Sequence, residues 1–298
     1  MKRLFQVDGP LDLGMTLRMM GMWGATTWAR VDDTGAWYAE RNHEGPATVR
    51  LGREGTALSA EAWGPGALPL LDRVPELCGL GDPGASAIVP EHPIMRDLVK
   101  RMAGYRVGRS GQAYPRLIAA GIAQKVTGAN AKPALWQLAR TWGERAPGPR
   151  EDLWLLPEPK ALRRRAYYEF HGFGVEQHRA LLLKRIAERA TAMERAASMP
   201  FADARRHLEK LQGIGPWTSG VVMGGPLGDP DAVPIGDYHL PNIVAWHLAR
   251  EPRADDHRMM QLLEPYTGRR GQVARMLKTA GGAPRFGPKS EARDFRRS

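Results

Sequence analysis

Along the first third of the chain, apolar and polar positions alternate in short runs, and along the rest apolar residues recur every three or four positions. A sheet-forming segment is therefore expected to precede a helical one. After one amphipathic stretch at 11–22, runs at 27–31, 36–41, 48–51 and 57–63 read as strands. They are separated by Asp33-Thr34-Gly35, Glu44-Gly45-Pro46 and Arg53-Glu54-Gly55-Thr56, which is hairpin turn chemistry. A small antiparallel sheet with one or two helices is the expectation for residues 1–92.

Pro83-Gly84 and Val89-Pro90-Glu91-His92-Pro93 read as a linker. Beyond it Ile94, Met95, Leu98, Val99 and Met102 fall on one helical face, and further helices are expected at 114–128, 131–142, 162–171, 175–195 and 201–212. The last of these runs into Gly213-Ile214-Gly215-Pro216, a tight turn whose proline suits the first turn of a new helix through Val222. A loop rich in Gly, Pro and Asp follows, ending in Val233-Pro234-Ile235-Gly236-Asp237-Tyr238 at the mouth of a helix over 239–248. The fold class is thus α+β. Residues 283–298 are basic and nearly devoid of aliphatics, and are expected to form a flexible tail.

Composition narrows the partners. With 43 Lys plus Arg against 32 Asp plus Glu, the 298-residue chain has a net charge of +11, which suits a polyanion, although an inert basic surface would have the same composition. A single cysteine, Cys78, excludes an internal disulfide and a four-cysteine zinc or iron–sulfur site. The eight histidines form no metal-ligand spacing. There is no apolar run of about 18 residues and no secretory h-region behind Met1-Lys2-Arg3, so a soluble, membrane-free, cytoplasmic and nucleoid-associated monomer is expected.

The turn and the carboxylate carry the candidate chemistry. Backbone N–H groups at the start of the helix after Gly213, Ile214 and Gly215 form an anion site that a nucleic-acid phosphate would fit. Asp237 is the candidate catalytic group, though an Asp at a helix N-terminus is also an ordinary cap.

Helix, Gly-x-Gly hairpin with Trp217 just beyond it, helix, then a Gly/Pro-rich loop ending in a lone Asp: this order resembles the helix-hairpin-helix DNA glycosylase superfamily, and within it the 3-methyladenine DNA glycosylase II type. The resemblance implies an N-terminal sheet domain leaving through Trp63-Gly64-Pro65-Gly66, then a two-lobed helical core over 93–282. Its central lobe would span about 115–229, and its second lobe 93–114 with 230–282. Double-stranded DNA containing a damaged base is the implied partner. A monovalent cation at the hairpin carbonyls is implied as well, and no iron–sulfur cluster is expected. Gly213, Ile214, Gly215 and Thr218 would meet the DNA backbone, Gln124 and Lys125 would fill the gap left by an extruded base, and Arg270, in a basic stretch with Arg269, Arg275 and Lys278, would meet phosphate. Trp217, Tyr238, Tyr168, Glu169, His171 and Met19 would wall the base pocket, each having an ordinary packing role as the alternative. Two departures from the family stand out: Lys125 where a wedge is often apolar, and Lys278 near the place of an aromatic that stacks on a cationic base.

Cutting the bond between base and deoxyribose develops positive charge on the sugar, which one carboxylate near C1′ stabilises while it orients or deprotonates water. An alkylated purine is already cationic and leaves without an acid, so a lone Asp237 suits such a base. Trp217 stands where bifunctional members carry a nucleophilic lysine, so no strand cleavage is expected. Two alternatives stay open: a glycosylase for deaminated or oxidised bases, and a non-catalytic DNA-binding protein that keeps the hairpin.

Overall fold

The computed structural model describes residues 1–20, 26–284 and 287. Its N-terminal part is one antiparallel sheet of β1 (Lys2–Phe5), β2 (Ala29–Asp32), β3 (Gly35–Asn42), β4 (Gly45–Glu54) and β5 (Ala57–Trp63), in the order β1-β5-β4-β3-β2. Four of these strands follow the alternation in the sequence. The edge strand β1 was not expected, because Lys-Arg-Leu-Phe is too short to show a period, and it is placed by pairing with β5. Helices α1 (Leu13–Met20), α2 (Ala67–Asp72) and α3 (Val74–Leu77) accompany the sheet. Residues 21 and 22 of the expected first helix lie outside the described residues. One face of the sheet buries Tyr38, Val49, Leu51 and Leu58 against Leu17, Leu70 and Leu71. The other face packs Trp37 and Ala39 on Leu153 and Leu155, from a ribbon of β6 (Glu144–Arg145) and β7 (Trp154–Leu155), with Trp37 stacked on Trp63 at 5.6 Å. The Pro/Gly-rich segment after Gly143 therefore closes a second core instead of running free.

The helical part comprises α4 (Pro93–Arg101), α5 (Ala113–Ala123), α6 (Gly128–Trp142), α7 (Pro159–Arg163), α8 (Gln177–Glu188), α9 (Ala190–Glu194), α10 (Phe201–Glu209), α11 (Pro216–Gly224), α12 (Leu240–Ala249), α13 (Asp256–Leu263) and α14 (Arg270–Thr279). Three expected helices are shorter or broken. The one at 114–128 stops at Ala123, because Gln124 is extended and Lys125 takes a left-handed φ of 55°. The one at 162–171 is replaced by α7 and a 3₁₀ segment, Tyr167–Phe173, beginning at the extended Ala166, whose N–H donates to Glu169 Oε1 at 2.7 Å. The one at 175–195 breaks at Arg189 into α8 and α9.

The apolar faces of these helices bury in two clusters. Leu117, Ile118, Leu138, Leu183 and Met223 belong to one, and Met95, Leu98, Val244, Leu263 and Leu277 to the other. The expected linker is itself packed, since Ala85 and Ile88 join the second cluster and Asp82 pairs with Arg269 at 2.9 Å. Among the described residues no helix is long and apolar enough to cross a membrane. Apart from residues 283, 284 and 287, the tail lies outside the described residues.

Candidate active site

The hairpin between α10 and α11 is built by one glycine that must be a glycine. Gly213 has φ +97°, and a Cβ there would lie 2.8 Å from Leu182 Cδ1 on α8. Ile214 puts its side chain into the core, so the hairpin presents backbone alone. Gly215 is the N-cap of α11 with Pro216 at its first position, leaving the N–H groups of the first turn without intrahelical partners. Gln124 Nε2 donates to both Gly213 O and Thr218 Oγ1 at 2.9 Å, tying the end of α5 to the hairpin. Thr218 is buried, so its hydroxyl serves this tie and does not face a DNA backbone. Lys125, next to it, is exposed in its left-handed turn, a conformation costly for a side chain of this size and common at functional sites.

From α11 the chain turns back through a loop that packs directly on the helix. A Cβ on Gly220 would fall 2.6 Å from Pro234 Cα, so the helix and the loop touch through backbone. Asp256 Oδ2 on α13 accepts from Gly236 N at 2.9 Å and holds the loop from the other side. Asp237 then stands at the mouth of α12. Its Oδ1 accepts from His239 N and Leu240 N, each at 3.0 Å, and its Oδ2 accepts from Trp217 Nε1 at 3.1 Å. The two expected roles, helix cap and site carboxylate, are therefore divided between the two oxygens. Three donors fix the carboxylate, and Oδ2 keeps a lone pair for a further contact.

Asp237 and Trp217 line one cavity of about 120 Å³ with Arg18, Met19, Arg116, Arg275 and Lys278. Burial pushes the Arg116 guanidinium down to about 9, helped by the neighbouring Arg275. Burial likewise pulls the Lys278 ammonium down to about 8, against the opposing pull of the Asp237 carboxylate. Arg275 Nε donates to Tyr105 Oη at 3.0 Å.

Of the residues expected at the base pocket, Trp217 and Met19 line this cavity. Tyr168, Glu169 and His171 do not. They lie on the 3₁₀ segment, where Tyr168 is exposed and Glu169 is engaged with Ala166 N and Arg165. Tyr238 points outward and meets the His239 ring edge-on at 4.8 Å. Arg270 is bound into the fold, its Nε and backbone N both donating to Asp231 Oδ1 at 2.9 Å. Arg116 was missed, although it is the lone charge in the otherwise apolar α5 and so carried a signal. The hairpin carbonyls of Leu211 and Gly213 each accept one hydrogen bond, from Ile214 N and Gln124 Nε2, and each keeps a lone pair. Such oxygens fit the monovalent cation that the resemblance implies.

No protein-family model matches the chain. Over 124 residues it is 25% identical to a Bacillus subtilis protein provisionally named a DNA-3-methyladenine glycosylase, a match covering 39% of this chain and 43% of that one. The match thus spans less than half of the curated relative. The whole fold superposes on the 3-methyladenine DNA-glycosylase of Archaeoglobus fulgidus with a TM-score of 0.78 and 16% identity, over 93% of this chain and 97% of that one. It superposes on the 8-oxoguanine glycosylase/lyase of Clostridium acetobutylicum, in complex with double-stranded DNA containing cytosine opposite 8-oxoG, with a TM-score of 0.69 and 15% identity, over 90% and 91%. The chain therefore has the fold of the helix-hairpin-helix DNA glycosylases. The resemblance read from its sequence is borne out.

Proposed function

We propose that the protein is a DNA glycosylase that takes a damaged nucleotide out of the duplex and hydrolyses its N-glycosidic bond, leaving an abasic site. The observation that carries this reading is the Asp237 carboxylate, fixed by three donors in the wall of a cavity beside an exposed-backbone hairpin. The hairpin would hold a phosphate through N–H groups at the start of α11, without reading sequence. Lys125 would stand in the gap left by the extruded nucleotide. The division of the helical core into two buried clusters supports two lobes. A monovalent cation on the hairpin carbonyls would add charge against the phosphate.

Asp237 would stabilise the sugar as its bond to the base weakens and would take a proton from the attacking water. Trp217 has no amine, which supports hydrolysis without strand cleavage. A cationic alkylated purine leaves unaided and so suits a lone carboxylate; the names of the A. fulgidus and B. subtilis relatives support that class. The test is incubation with otherwise identical duplexes carrying defined lesions, measuring free base. Base release that Asp237→Asn abolishes is the expected result. Tight duplex binding without release of any base would leave a DNA-binding protein.

A further inference from the structure

Asp237 is held from two helices. On one side Trp217 of α11 donates to its carboxylate. On the other, Asp256 of α13 acts on the backbone that leads into it, since Asp256 Oδ2 accepts from Gly236 N at 2.9 Å. The two helices belong to different buried clusters, α11 through Val222 and Met223 and α13 through Met259 and Leu263. Little else fixes the peptide entering Asp237. Gly236 has φ +88°, and among the described residues nothing lies within 4 Å of where a Cβ would stand, so packing does not confine it. The turn bond that follows, from Asp237 N to Pro234 O, is long at 3.3 Å. Asp256 is well anchored by contrast, because Ala254 N donates to Asn242 Oδ1 at 2.9 Å and ties the connection before α13 to α12.

The helix that Asp256 opens does not explain its side chain. The cap of α13 is Asp255, whose Oδ1 accepts from Arg258 N at 2.8 Å. An acid in the first turn gains from the helix dipole, but that gain requires neither burial nor contact with the loop. Asp256 Oδ1 is nevertheless buried without a partner, while Oδ2 goes to the loop. We propose that Asp256 is a positioning residue for the reaction at Asp237: it fixes the Gly236 peptide, and through it the direction in which the Asp237 carboxylate faces the cavity. This rests on the glycosylase reading of Asp237. A glycine rotates readily to either side, so without this tether the chain entering Asp237 has more than one path. The donors that orient the carboxylate, Trp217 Nε1 and the N–H groups of His239 and Leu240, stay with their helices while its Cα moves. Asp256 is absent from the cavity lining, so its effect reaches the reaction through Asp237.

The test measures single-turnover base release and duplex affinity on whichever duplex the wild-type protein processes among those carrying N7-methylguanine, hypoxanthine and 8-oxoguanine. Asp256→Ala should slow release about tenfold to a hundredfold, the effect of a small misplacement of a reacting group, with duplex affinity and unfolding midpoint close to wild type. Asp256→Asn keeps an oxygen for Gly236 N and should recover most of the rate. In the Asp237→Asn background, Asp256→Ala should cost nothing further, because no carboxylate is left to place. The proposal is overturned, with the glycosylase reading left standing, by a wild-type rate in Asp256→Ala or by a loss of affinity equal to the loss of rate. Absence of recovery in Asp256→Asn, or a further loss on top of Asp237→Asn, overturns it as well. If Asp256→Ala does not fold, hydrogen exchange of the wild-type protein decides: the Gly236 amide must be protected, and exchange at the rate of an open loop overturns the proposal. Release of no base from any of these duplexes by the wild-type protein would end the glycosylase reading and the proposal with it.

Discussion

Trp217 Nε1 donates to Asp237 Oδ2 at 3.1 Å, joining the second residue of α11 to the loop that opens α12. A residue in the first turn after the hairpin thus also orients the carboxylate. Trp217→Phe keeps the ring and removes this bond, and a hydrogen bond to a charged group is worth about 1.5–3 kcal/mol. Single-turnover base release should fall about tenfold to a hundredfold with duplex affinity unchanged. Equal losses in rate and affinity would place Trp217 in DNA binding instead.

Asp237 can be separated into its two roles by choice of replacement. Asn keeps an oxygen for His239 N and Leu240 N, so Asp237→Asn should unfold at nearly the wild-type temperature while losing base release on the order of a thousandfold. Asp237→Ala should lose the cap as well, at about 1 kcal/mol, which calorimetry would register as a lower midpoint. If Asp237→Asn retains most of its rate, the carboxylate is only a cap.

The hairpin glycines should respond differently. Nothing lies within 4 Å of a Cβ on Gly215, so Gly215→Leu should leave stability unchanged and weaken binding to plain and damaged duplexes alike. Gly213→Ala meets Leu182 at 2.8 Å from a left-handed backbone and should cost about 1–3 kcal/mol of stability before any DNA is added. Filter binding at two salt concentrations and urea unfolding separate the effects, and wild-type affinity should itself fall steeply with salt. Lesion-selective loss in Gly215→Leu would contradict phosphate binding by the hairpin.

Borohydride trapping tests for an amine nucleophile. Trp217 offers none, and Lys278 is the one lysine among the described residues lining the cavity. Burial lowers Lys278 to about 8 and so raises its share of free amine, which makes it the lysine to test; with Trp217 in the place of the nucleophile, no covalent adduct is expected on a lesion that is processed. An adduct that Lys278→Met abolishes would make Lys278 a nucleophile and end the hydrolysis-only reading.

Local order settles the parts of this protein that repeat over short distances. The alternation at 36–41 and 57–63, the helical spacing at 94–102, and Gly-Ile-Gly-Pro before an apolar helix specify their elements without distant contacts, since period and backbone preference are properties of neighbouring residues. Asp237 was legible for the same reason, as one acid at a turn before a helix. What converges on it was not. The helical expectation at 162–171 failed where the extended Ala166 starts a 3₁₀ segment, and Tyr168 and His171 do not line the cavity. Arg116 and Lys278 lie more than 150 residues apart in the chain and meet across one cavity only because α5 and α14 pack around α11 and its returning loop. Neither residue's sequence neighbours record that meeting. Proton affinity and charge recognition depend on burial and on the nearest charges in space, so tertiary packing alone decided the character of the cavity.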